Sequence, residues 1–169
     1  MPLTSTLAVS AFTELSAASG LGTARVPAGL SRAVTLGSGT GAGNADKVYQ
    51  ARRTLAASGS EDLDLAGVLA DAFGATISFA KVKGLFIAAA PGNTNNVVVG
   101  NASSNGWATL LNSTGTVTLR PGAVLAVVAG AADATTYAVT ATTGDLLKVA
   151  NSAGSSSVSY DICIVGTSV

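Results

Sequence analysis

Apolar residues in this chain recur at every second position, in short runs divided by turn formers. That period of two constrains the fold more than any other feature. Leu63 and Leu65 alternate with Asp62 and Asp64, and Ile77 and Phe79 alternate with Thr76 and Ser78. Val97 and Val99, Val117 and Leu119, Tyr137 and Val139, Leu147 and Val149 repeat the pattern, as do Val158, Tyr160, Ile162 and Ile164. Alternation of this kind turns one face of each strand to a core and leaves the other polar. Between the runs stand Pro91-Gly92-Asn93, Asn105-Gly106, Arg120-Pro121-Gly122, Thr143-Gly144-Asp145 and Ala153-Gly154. A Pro-Gly pair suits the centre of a type II turn, because Pro fixes the first φ and Gly supplies a positive second one. Strands starting roughly every 10 to 20 residues, without amphipathic helices between them, predict an all-β chain built as a β-sandwich or jelly roll. Residues 67–73, with Leu69 and Phe73 on one side, form the one short helical candidate. Residues 123–129 are continuously apolar, as expected of a strand covered on one side by the facing sheet and on the other by a second subunit.

The first 45 residues differ from the rest and are expected to form an extended N-terminal arm rich in Gly, Ser and Ala, ahead of a sandwich domain over residues 46–169. The arm holds two short strand candidates, residues 6–12 and 32–36. It ends in Gly37-Ser38-Gly39-Thr40-Gly41-Ala42-Gly43-Asn44, whose composition favours a flexible linker. The arm is expected either to add a strand to the main sheet or to reach a neighbouring molecule.

Charge is scarce. Asp, Glu, Lys and Arg make up 11% of the chain, and nine basic side chains balance nine acidic ones. A basic nucleic-acid binder and a charge-driven disordered chain are both excluded. With no histidine present, Ser-His-Asp and Cys-His catalysis and imidazole-dependent zinc sites are excluded too. The apolar runs fall short of the roughly 20 residues that span a bilayer. No basic segment precedes the first apolar stretch, since the first cationic side chain is Arg25, so a cytoplasmic origin without a secretory signal is expected. Near-zero net charge removes the repulsion that keeps monomers apart. Self-association is the first functional expectation.

The candidate chemistry is sparse. Glu61, Asp62 and Asp64 form the single acidic cluster; without an Asp-x-Asp-x-Asp-Gly loop it reads as a solvated strand edge, with weak calcium binding as the alternative. The glycines at 37, 39, 41 and 43 have the wrong spacing for a dinucleotide loop. Arg52 and Arg53 are adjacent, so a strand sends them to opposite faces, one solvated and the other available to a carboxylate. Cys163, the lone cysteine, sits in a strand pattern and reads as a small half-buried residue. Trp107 follows a hairpin signal and reads as a core cap or subunit anchor, with stacking on a sugar ring as the alternative. No catalytic, cofactor-binding or metal-ligating set emerges, and an enzyme is the least favoured class.

Gly39-Thr40-Gly41-Ala42-Gly43-Asn44-Ala45-Asp46, Arg53-Thr54-Leu55-Ala56-Ala57-Ser58 and Asp62-Leu63-Asp64-Leu65-Ala66-Gly67 resemble small structural proteins of tailed bacteriophages. The likeness continues through Asn95-Asn96-Val97-Val98-Val99-Gly100, Arg120-Pro121-Gly122, Tyr137-Ala138-Val139-Thr140 and Gly144-Asp145-Leu146-Leu147, covering roughly residues 39–169. These are turns and strand faces, and no functional residue is carried over with them. The resemblance implies a virion component with a β-sandwich or jelly-roll fold, of the cement or decoration type that clamps capsomers together. The expected partners are further copies of the chain, as a dimer or trimer, and the major capsid protein or other virion proteins, with neither nucleic acid nor membrane. The interface candidates are Leu3, Leu7, Phe12 and Leu15 in the arm, together with Trp107, Val124 and Val127. A tail or head-tail adaptor protein, a principal coat subunit and a receptor- or carbohydrate-binding module are the alternative readings.

Overall fold

A computed structural model describes residues 2–169, which form twelve β-strands and no helix, hence none long and apolar enough to cross a membrane. Two antiparallel sheets face each other across one core. The first runs in the order β6 (Lys81–Ala89), β12 (Val158–Thr167), β4 (Lys47–Leu55), with β9 (Val124–Val128) and the two-residue β10 (Tyr137–Ala138) side by side on the free edge of β6. The second runs β5 (Ser60–Asp64), β11 (Leu146–Asn151), β7 (Val97–Gly100), β8 (Thr116–Leu119). The expected alternation places Leu63, Val97, Val99, Leu119, Leu147 and Val149 of one sheet against Leu85, Ile87, Tyr160, Ile162 and Ile164 of the other. This is the β-sandwich that the period of two predicts.

The N-terminal residues form a third structure. β1 (Ser5–Ser19) and β2 (Gly22–Ser38) pair antiparallel along their whole length around the loop Gly20-Leu21. The strand candidates at 6–12 and 32–36 lie inside these longer strands and bond to each other, with only a short parallel link from β2 to β3 (Asn44–Ala45). The arm therefore contributes no strand to either sheet of the sandwich.

Two local expectations are corrected. Residues 67–73 form turns instead of a helix. A segment this short gains helical stability only from a packed face, but Val68 and Phe73 are exposed, and the Asp71 carboxylate captures the Phe73 and Ala75 amides in a turn of its own. The Gly-rich run at 37–44 is a folded loop rather than a flexible linker. Gly37 and Gly39 donate to the carbonyls of Gly43 and Ala45, and Lys83 Nζ donates to the carbonyls of Gly41, Ala42 and Asn44 at 2.5–2.8 Å. Lys83 is the residue skipped where the β6–β12 register shifts between Val165 and Gly166. Such a bulge re-aims the extra side chain, and here it aims an ammonium at three carbonyls of the loop, of which that of Gly41 also accepts the Asn44 amide.

The two Pro-Gly turns also diverge. Gly122 has φ of 78° and Ala123 N–H returns to Arg120 at 2.8 Å, as a type II turn requires. Asn93 N–H closes on Ala90 at 3.1 Å, while Gly92 has no positive φ, so that turn is of another type.

Candidate assembly surface

The hairpin has two unlike faces, because residues paired across an antiparallel ladder share a side. One carries Leu7/Val34, Val9/Arg32, Ala11/Leu30, Thr13/Ala28, Leu15/Val26 and Ala17/Ala24. From Ala11/Leu30 to the tip this face contains no ionisable side chain. The opposite face carries Ser10/Ser31, Phe12/Gly29 and Ser16/Arg25, with Arg25 bonded to Glu14 at 2.5 Å.

The apolar face is buried only at its root. Leu7 and Leu36 join Ala45 and Val165 in a second, smaller core, with Leu3, Val34, Val48, Phe86 and Val128 packed against it. Further out it lies in solvent: Leu15 is 75% exposed, Val26 63% and Leu30 60%. A two-stranded ribbon gains little stability by itself in water. Large apolar side chains left along one face of such a ribbon mark a contact surface.

The root packs on the outer face of the β9–β6–β12–β4 sheet. Cross-strand register arranges that face in rows. Val128, Gly84, Val165 and Val48 form the row under the hairpin root. Ala126, Phe86, Cys163 and Gln50 form the next, and Val124, Ala88, Asp161 and Arg52 the third. The second and third rows border an open, mostly apolar trough of about 450 Å³, lined by Gln50, Arg52, Phe86, Ala88, Asp161 and Cys163. Arg52 and Asp161 pair at 2.6 and 2.8 Å on its rim, each raising or lowering the other's pKa in the direction that keeps both charged. Val124 stands 61% exposed at the far edge, on a strand with no partner beyond β6 among the described residues.

The sequence-predicted interface residues divide accordingly. Phe12, Leu15 and Val124 are exposed; Leu7 is buried within the chain and Leu3 half-buried beside it. Val127 points inward against the sandwich core. Residues 123–129 thus have a core side and an outer side, with Ala126 and Val128 half-buried and Val124 open. Trp107 is 6% exposed, its Nε1 donates to the Ala138 carbonyl at 2.8 Å, and its ring meets Tyr137 edge-on. Both the subunit-anchor and the sugar-stacking readings of Trp107 fail, because the indole is already used up inside the fold. Sequence reasoning passed over Val26, Leu30, Phe86 and Ala88. Val26 and Leu30 carried a signal, since they mirror Leu15 and Ala11 about Gly20-Leu21.

The polar clusters elsewhere are internally satisfied, apart from the Thr136 hydroxyl, which is buried without a partner. Arg53 turns inward, opposite in direction to Arg52, and bonds Glu61, which also accepts the Tyr160 hydroxyl at 2.8 Å. That bond raises the Arg53 pKa; burial first and Glu61 second raise that of Tyr160. Asp62 is exposed, and Asp64 caps the Ala66 amide at 2.8 Å. Asn95 and Asn151 bond each other at 3.0 Å and tie down the loop carbonyls of Ala153 and Ser156. Among the described residues no three His, Cys, Asp or Glu side chains converge as metal ligands.

No protein-family model, curated protein or solved structure matches this chain. The arrangement leaves two apolar surfaces open, the distal hairpin and the outer rows of the sheet, and both extend from one buried contact.

Proposed function

We propose that this chain is a structural protein of a bacteriophage particle, a self-associating β-sandwich that stabilises the shell as a cement or decoration protein bridging capsomers. The observation that carries this reading is the apolar hairpin face, which is buried at its root and, beyond Val9/Arg32, lies in solvent without an ionisable side chain. Such a ribbon gains its stability from neighbours, as an arm in a shell does. Each square ångström of apolar contact contributes about 25 cal/mol before association costs, and repetition around a shell converts modest contacts into avidity. The turn and strand motifs that resemble small virion proteins support the same setting, and the scarcity of ionised groups suits a protein that lives against other protein.

The test removes the distal arm alone. Joining Ser10 to Ser31 through Asn-Gly, a pair suited to a two-residue hairpin turn, keeps Leu7 and Leu36 in their core. We expect the shortened protein to retain its sandwich, read by thermal unfolding, and to lose most of its occupancy on purified particles. Unchanged occupancy, or immunogold label over the tail rather than the shell, would overturn the reading.

A further inference from the structure

We infer that the open trough on the outer sheet face receives the distal hairpin of a second copy of this chain. The inference deepens the assembly reading and rests on its self-association part alone. Three observations favour a second copy as the occupant.

First, the contact already exists in miniature. Within one chain the hairpin's apolar face lies on the Val128–Gly84–Val165–Val48 row. The next rows, Ala126–Phe86–Cys163, whose Phe86 and Cys163 already touch the root core on one side, and Val124–Ala88, continue that apolar surface up to Gln50 and the Arg52–Asp161 pair. The unfilled hairpin positions, Ala11, Leu15, Val26 and Leu30, continue the face that Leu7 begins.

Second, the charges are compatible. The distal face has no ionisable group, and the trough's two charged side chains satisfy each other through Arg52–Asp161. Docking leaves no ion without a partner, whereas an acidic or basic partner would find no counter-charge to read.

Third, the area argues for closure. The distal ribbon is about 34 Å long and about 10 Å wide, given about 3.4 Å per residue and about 4.8 Å between strands. One contact therefore covers at most about 700 Å² over both partners, against the roughly 1,200–2,000 Å² of a stable pair. A reciprocal pair contains two such contacts and approaches that range, at up to about 1,400 Å². A small ring in which every copy both gives and receives an arm likewise doubles the contacts each copy makes.

Cys163 lies in the trough and is the only cysteine, so it serves as a built-in reporter. Ala11→Cys, Leu15→Cys, Val26→Cys and Leu30→Cys would each be oxidised under mild conditions without any viral component. We expect a covalent pair from at least one variant, with the linkage mapped by mass spectrometry to Cys163 and lost when Cys163→Ser is added. Ser16→Cys, on the opposite face, should not link. In parallel, Ala88→Arg should shift sedimentation of the folded protein to the monomer. Linkage that persists without Cys163 would mean that hairpins pack on each other, and this would overturn the inference. So would an absence of linkage from all four positions, or an oligomer indifferent to Ala88→Arg. If linkage appears while particle occupancy does not depend on the arm, the virion reading fails and the arm-to-trough contact stands.

Discussion

Leu7 lies directly over Gly84: a β-carbon built at residue 84 would fall 2.6 Å from Leu7 Cδ1. The root of the hairpin is thus seated where the sheet has no side chain. The close approach lets Leu7 reach Val165 and Val128 and joins the hairpin to the sandwich.

Gly84→Val should therefore lever the hairpin root off the sheet and destabilise the protein by about 1–3 kcal/mol, the usual cost of overpacking. Adding Leu7→Ala should recover part of that loss, because the two changes relieve the same clash. A double-mutant cycle by urea unfolding measures the coupling; strictly additive effects would show that the two residues do not meet.

Removing Lys83 tests the loop at 37–44. Lys83→Met keeps the aliphatic stem and takes the ammonium away from three carbonyls, of which that of Gly41 keeps the Asn44 amide. The expected cost is about 1–3 kcal/mol. The Gly37 and Gly39 amides, bonded within that loop, should lose hydrogen-exchange protection well before the amides of β12 do.

The Glu61–Tyr160 bond predicts an alkaline limb. Burial and Glu61 raise the folded-state pKa of the tyrosine above its unfolded value of about 10. Below that pH both states are protonated and the stabilisation is complete. Above it the unfolded chain releases a proton that the folded chain keeps, so stability falls as pH rises. Tyr160→Phe should cost about 1 kcal/mol near neutrality and flatten the decline above about pH 10, measured by urea titration at several pH values.

At the acid end the Asp133 carboxylate accepts the Thr135 and Thr136 amides and the Thr135 hydroxyl, and those bonds lower its pKa. Its contribution is complete above the unfolded carboxylate pKa, about 3.9, and is lost as pH falls through the lower folded value. Asp133→Ala should lower stability near pH 7 and flatten its loss below about pH 4; an unaltered acid profile would count against the turn's role.

Trp107 provides a stability test rather than a binding one. Trp107→Ala should cost about 3–5 kcal/mol, as for other buried aromatic truncations. Trp107→Phe should cost less, losing chiefly the bond to the Ala138 carbonyl. The fluorescence of the native protein should be that of a shielded indole and should shift to the red only on unfolding.

Much of the sandwich was legible because the contrast between adjacent residues was strong. Val158, Tyr160, Ile162 and Ile164 against Ser159, Asp161 and Cys163 leave one possible inward face, and Arg52 beside Arg53 must diverge on any strand. The hairpin was not legible over residues 13–31, because Ala, Ser, Thr and Gly offer little contrast between its sides. Its apolar face emerges only when Leu15 is set against Val26 and Ala11 against Leu30, which requires the turn at Gly20-Leu21 to be placed first. Lys83 was hidden for another reason: its role depends on a bulge in β6 and a loop some forty residues earlier, a contact set by sheet register and by no local pattern. Trp107 was legible as a core cap but could not be told from a subunit anchor, because the choice rests on the bond of 2.9 Å from its N–H to the Leu146 carbonyl, which draws the segment into the sandwich.

The bare distal face of the hairpin carries a thermal consequence. Contacts made by releasing water from aliphatic surface are entropy-driven near room temperature and weaken on cooling. Refrigerated preparations of this protein should therefore dissociate and reassociate when warmed, with little response to dilute sodium chloride and a strong response to sulfate.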